Sequence, residues 1–165
     1  MTTRDKDLND LFLDTLRDIY FAEKQILKAL PKMAKAAASD KLRAAFDKHH
    51  DETEGQIERL EQIFELLGKP ARSKTCDAIM GILDEGREIM EEYKGTEARD
   101  AGLLAAAQAV EHYEISRYGT LKQWAIQLGM KEAANLLDET LKQEKKTDES
   151  LTVLAESSIN LAAAA

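Results

Sequence analysis

With 165 residues, 44% of them hydrophobic and 33% charged, the chain is sized for one soluble domain spanning residues 1–165 around a real core. Its net charge of −8 and pI near 5.0 argue against broad nucleic-acid or anionic-membrane binding, which needs a basic face. A single cysteine, Cys76, excludes an internal disulfide and any Cys-x-x-Cys metal module, and no apolar run approaches the roughly 18 residues of a membrane span; a reduced, cytoplasmic protein is expected.

The first predicted helix runs from about Asp5 to Ala37, with Leu8, Phe12, Ile19, Ile26, Leu30 and Met33 on one stripe. Pro31 lies inside it and predicts a kink or break, because proline has no N–H for the Leu27 carbonyl. Ser39 or Asp40 caps a second helix, about Lys41 to Leu67, which Gly68 and Pro70 end. Residues 69–100 form the only long connection, and they contain a shorter helical piece from about Cys76 to Tyr93, ended by Gly95. A third long helix follows from about Glu97 to Leu128, and Gly129 ends it. The fourth runs from about Lys131 to Leu161, and the alanines at 162–165 are expected to fray.

Two short hairpin loops and one long crossover predict an all-α fold: a ferritin-like antiparallel four-helix bundle with a short extra helix in the crossover. The alternative is an ordinary up-down bundle with a fifth helix packed outside.

The chemistry is carried by acidic residues where Leu or Ala would be expected. At about 100° per residue, Glu23 falls between Ile19 and Ile26 near the middle of its stripe. Glu111 and Glu114 share the inward face with Leu104, Ala107, Tyr118 and Leu121. Glu144 and Asp148 share one with Leu137, Leu141 and Leu151. On the second helix, His49 is central, Glu52 lies at the edge and Gln56 sits closer in; His50 competes with His49 as the ligand. His112 faces away from the carboxylates, and the crossover helix and an outward His112 and Tyr113 are the candidates for a dimer face. Glu114 and Glu144 each lie fifteen residues from Gly129, which puts them level in an antiparallel pair.

A lone Glu at a stripe edge ordinarily snorkels to water. Inward candidates on four helices are a different case, since burying each ionised carboxylate costs several kcal/mol and neighbouring carboxylates repel. Two divalent cations would neutralise four such charges, and oxygen ligands with one imidazole suit iron first and manganese second. The predicted ligands are Glu23, His49, Glu52, Glu111, Glu114, Glu144 and Asp148. Tyr118, one turn from Glu114, is the catalytic candidate, with an ordinary core tyrosine as the plain alternative.

The stretches Ala22-Glu23-Lys24-Gln25, Leu30-Pro31-Lys32-Met33-Ala34, Gln56 to Phe64, Ala109-Val110-Glu111-His112-Tyr113-Glu114-Ile115, Tyr118-Gly119-Thr120-Leu121 and Glu144-Lys145-Lys146-Thr147-Asp148 resemble the YciE/YciF-type ferritin-like stress proteins. The resemblance covers nearly the whole chain. It implies a rubrerythrin-like bundle, a homodimer, a role in bacterial stress responses and a di-metal site. Glu23 matches the first-helix Glu of that superfamily and Glu111-x-x-Glu114 its third-helix pattern. Two departures stand out: His49-x-x-Glu52 reverses the usual Glu-x-x-His order, and the fourth helix offers Glu144-x-x-x-Asp148 without a histidine.

Three functions compete. The first is a di-iron or di-manganese oxidoreductase that reduces peroxide or oxidises Fe(II), served by a separate electron-donor protein. The second is a non-catalytic stress or interaction protein on the same scaffold. The third, a storage or DNA-protecting cage, is weakest, because the N-terminus has too few basic residues for a DNA-binding arm.

Overall fold

The computed structural model describes residues 4–165, and every element in it is helical. Helix α1 spans Leu8–Ala36 and α2 spans Asp40–Leu66; α3 (Asp77–Glu92) lies in the crossover. Helix α4 spans Ala98–Gln127 and α5 spans Lys131–Leu154, continued by a π-helical turn at Ala155–Ile159 and a short α6 at Asn160–Ala164.

The helix ends follow from local chemistry. Asp7 caps α1 in a reciprocal pair with Asp10, each side chain accepting from the other's backbone N–H. The Ser39 hydroxyl accepts from the Leu42 N–H to start α2. Gly68 (φ 63°) and Gly129 (φ 73°) end α2 and α4 in the left-handed conformation, and the following N–H groups of Lys69 and Met130 reach back to the carbonyls of Phe64 and Ala125. Pro31 does not break α1, which continues to Ala36, because removing one donor still leaves the flanking turns bonded and packed. The last helix departs from expectation in two ways: a π turn interrupts it, and it stays helical through Ala164 instead of fraying at 162.

Helices α1 and α2 pair as one hairpin, α4 and α5 as the other; α1 also packs on α4 and α2 on α5, which closes a four-helix bundle. Asp100, in the first turn of α4, sets the direction. Its two carboxylate oxygens accept from the backbone N–H groups of Ala38 (2.9 Å) and Ser39 (2.8 Å) in the α1–α2 turn. Helix α4 therefore starts where α1 ends, and the two run antiparallel. The crossover must return along the length of the bundle, and it is tied down at the far end where the Lys74 N–H donates to the Arg17 carbonyl. Helix α3 then lies over α1 and α4. A Cβ on Gly102 would come within 2.6 Å of Ile89 Cγ2, so glycine lets α3 approach α4 there.

The core is the shared interior of the four long helices, filled by Leu16, Ile19, Phe46, Leu60, Leu121 and Leu137 among others. Into this core the fold also buries Glu23, Glu111, Glu114 and Glu144, each with 0% exposure, and His49 with 2%. No described helix is long and apolar enough to cross a membrane.

Replacing Asp100 with Ala would leave two N–H groups of the α1–α2 turn without their acceptor. We expect Asp100→Ala to cost about 2–3 kcal/mol in urea unfolding, and Asp100→Asn less, since one acceptor remains.

Candidate metal centre

The centre is assembled from three helices. Helix α2 contributes His49, α4 contributes Glu111 and Glu114, and α5 contributes Glu144; one ligand-capable atom from each lies within 4.8 Å of every other. Glu111 and Glu114 are three residues apart, so both project inward from adjacent turns of α4. Glu144 meets them from across the short α4–α5 hairpin, the level placement that counting from Gly129 predicts. The His49 ring is buried and the His50 ring half-buried, and only His49 reaches the group.

Glu23 of α1 stands beside the group. Its Oε1 accepts from the Tyr118 hydroxyl at 2.5 Å, while its Oε2 has no partner. Tyr118 is thus fixed by a buried hydrogen bond and its oxygen is 0% exposed with the rest of the residue.

The structure leaves Glu52 and Asp148 outside the converging group. Glu52 accepts from the Thr147 hydroxyl at 2.9 Å and lies 3.6 Å from the Lys48 ammonium. Asp148 accepts from the Gln108 amide at 3.3 Å and lies 3.1 Å from His112 Nε2. Both sit at the edges of their helical stripes, where solvent and polar neighbours are within reach. His112 is exposed, as its helical position suggests. Tyr113 is not an outward residue: its hydroxyl sits 2.9 Å from Cys76 Sγ and its ring lies under Arg117, so it packs against the start of α3.

The sequence reading did not anticipate a polar chain between α2 and α5. Gln56 donates to Gln143 (3.2 Å), and Arg59 donates to both Gln143 (3.0 Å) and the Thr140 hydroxyl (3.1 Å). Thr140 lies one turn before Glu144 on the same stripe, and that spacing was the available signal.

The donor atoms fit a cation. Both carboxylate oxygens of Glu111, Glu114 and Glu144 are buried without a hydrogen-bond donor, as are Oε2 of Glu23 and both ring nitrogens of His49. His49 Nε2 is 2.8 Å from Glu111 Oε1, yet the approach is out of line for an N–H···O bond. A nitrogen and an oxygen brought this close with no hydrogen bond between them suit a shared cation. Native proteins rarely leave so many buried polar atoms unpaired in one place.

Protonation is the alternative way to settle these charges. Burial, and then the charge of Glu144, raise Glu23 from an ordinary 4.5 to about 7. Burial likewise raises Glu111 to about 8. Glu114 and Glu144 are pushed well above the usual carboxylate range, first by burial, then in Glu114 by the charges of Glu144 and Glu23 and in Glu144 by Glu111. Without a metal, these carboxylates hold protons more tightly in the folded chain than in the unfolded one. Their contribution to stability is then full below about pH 4.5 and is lost as pH rises through 7 to 8. We expect chelator-treated protein to lose several kcal/mol across that window in urea unfolding, and metal-loaded protein to lose much less. A flat profile in chelator would mean the carboxylates are charged and paired in some other way.

Relatives share this architecture. Protein YciF of Escherichia coli (strain K12) is 49% identical over 157 residues, 94% of each chain. The crystal structure of the E. coli stress protein YciF superposes with a TM-score of 0.90 at 47% identity, covering 94% of this chain and 99% of that one. YcfI from Rhodopseudomonas palustris, described as a proposed structural protein, gives a TM-score of 0.88 at 43% identity over 92% and 97% of the two chains. A Xanthomonas campestris protein at 22% identity shares the fold, with a TM-score of 0.70. The model of the domain of unknown function DUF892 matches residues 7–164, and the chain belongs to that family.

Proposed function

We propose that the chain is a stress-response protein of the ferritin-like superfamily that holds two divalent metal ions, iron first and manganese second, and reduces peroxide or oxidises Fe(II). The observation that carries this reading is the convergence of His49, Glu111, Glu114 and Glu144 with their buried oxygens unpaired. With Glu23, the three glutamates of this group bring four negative charges, which two divalent cations would balance. His49, Glu111, Glu114 and Glu144 would hold the metal, with Glu23 at the neighbouring position. Bound iron or manganese would supply the redox chemistry that no side chain of this centre can.

The chain's own residues prepare the centre. The surrounding helical core leaves the four glutamates and His49 with essentially no solvent exposure. Tyr118 donates to Glu23 Oε1 and turns Oε2 free. It acts through Glu23 and is a positioning residue that also holds a proton beside the site. A separate protein supplies electrons, and the protein works as a cytoplasmic homodimer.

A second reading, a non-catalytic scaffold, is favoured by one feature: Glu52 and Asp148 are engaged elsewhere, which leaves one imidazole and a short set of oxygens. Metal analysis separates the two. We expect protein purified without added metal or chelator to carry about two iron or manganese ions per chain, and Glu114→Ala to lose them while keeping its helical spectrum. A wild type that is metal-free and also refuses added Fe(II) would favour the scaffold.

Tyr118→Phe removes only the hydroxyl. It should retain metal and slow peroxide reduction or Fe(II) oxidation by about a hundredfold. Unchanged turnover would reduce Tyr118 to a core tyrosine.

A further inference from the structure

Outside the centre, the groove between α1, α3 and α4 encloses a cavity of about 170 Å³. Its walls are apolar, made chiefly by Met33, Met80, Leu83, Met90 and Val110. Gly86 and Ala106 keep the α3–α4 side thin; a Cβ on Gly86 would already touch Ala106 at 3.6 Å. Three cations stand at the rim: Lys28 and Lys32 from α1 and Arg87 from α3. Arg87 pairs with Asp84, whereas Lys28 and Lys32 pair with no carboxylate among the described residues. In a chain of net charge −8, two free ammonium groups over one apolar cavity are a local reversal of sign.

The cavity also has an inner continuation. A smaller void of about 10 Å³ is lined by Ala29, Met33, Leu83 and Val110, which it shares with the outer cavity, and by His49. The shared lining places the groove and the imidazole of the centre on either side of the same few side chains. Methionine walls adapt readily to the shape of an apolar guest.

From this juxtaposition we propose that the α1–α3–α4 cavity binds a small carboxylate with a hydrocarbon body, its anionic group between Lys28 and Lys32 and its apolar end directed toward His49. The size sets the class: a cavity of about 150 Å³ takes a benzene-sized guest, so a body of about six carbons fits here. The apolar wall provides affinity through water release, and the two ammonium groups select a monoanion over a neutral molecule. The site does not depend on metal at the centre, so it stands or falls separately from the proposed redox function.

The test is binding of hexanoate to the purified full chain, with and without prior chelation. Methyl spectra of the methionines locate the ligand, and calorimetry reads affinity. We expect saturable binding at one site, with shifts at Met33, Met80 and Met90, and 1-hexanol binding more weakly. The double variant Lys28→Glu/Lys32→Glu changes only exposed residues and should weaken hexanoate by about tenfold or more while leaving 1-hexanol unchanged. No methyl shifts up to millimolar hexanoate would overturn the proposal, and so would equal binding of hexanoate and 1-hexanol. If hexanoate fails to bind and the double variant instead turns a dimer into a monomer in sedimentation, the groove is a contact between copies and the proposal is likewise overturned.

Discussion

The constraint on which this molecule turns is the cost of placing four carboxylates in a helical core with a single histidine, and no lysine or arginine, among them. Glu23, Glu111, Glu114 and Glu144 are fully buried, and their unpaired oxygens face one another across the bundle axis. Left ionised, such a group is expensive, because desolvation and mutual repulsion act in the same direction. Protons or metal cations can relieve it, and only the cations bring chemistry with them. The rest of the bundle serves to keep these side chains level with one another.

That service is visible in the way the helices are tied. Asp100 holds the start of α4 against the α1–α2 turn, which fixes the depth of Glu111 and Glu114 relative to Glu23 and His49. The α4–α5 hairpin does the same for Glu144 through a glycine-capped turn too short to allow slippage. The polar chain of Gln56, Arg59, Thr140 and Gln143 clamps α2 to α5. The crossover helix closes the α1–α4 side and creates the cation-rimmed cavity next to His49.

Most of the centre was legible in the primary structure because the helical period is regular over long segments. Glu23, Glu111, Glu114 and Glu144 interrupt apolar stripes, and a stripe on a bundle helix has only one place to go. His49 and His50 are adjacent in sequence, and burial separates them once α2 is packed. Glu52 and Asp148 lie at stripe edges, where a side chain's direction depends on the neighbour available. Lys48, one turn away on the same helix, is a neighbour the helical period offers, whereas Thr147, Gln108 and His112 come from other helices and no local period suggests them.

What the sequence alone determined is the set of elements and their inward faces: four long helices, a fifth in the crossover, glycine stops, and carboxylates on the buried stripes. These follow from short-range rules of periodicity and capping, which need only residues a few positions apart. Tertiary structure alone decided which acidic residues converge, that α1 passes through Pro31 unbroken, that the last helix takes a π turn, and that Tyr113 docks on Cys76. The convergence and the Tyr113–Cys76 contact join residues distant along the chain, whose energies local patterns do not contain.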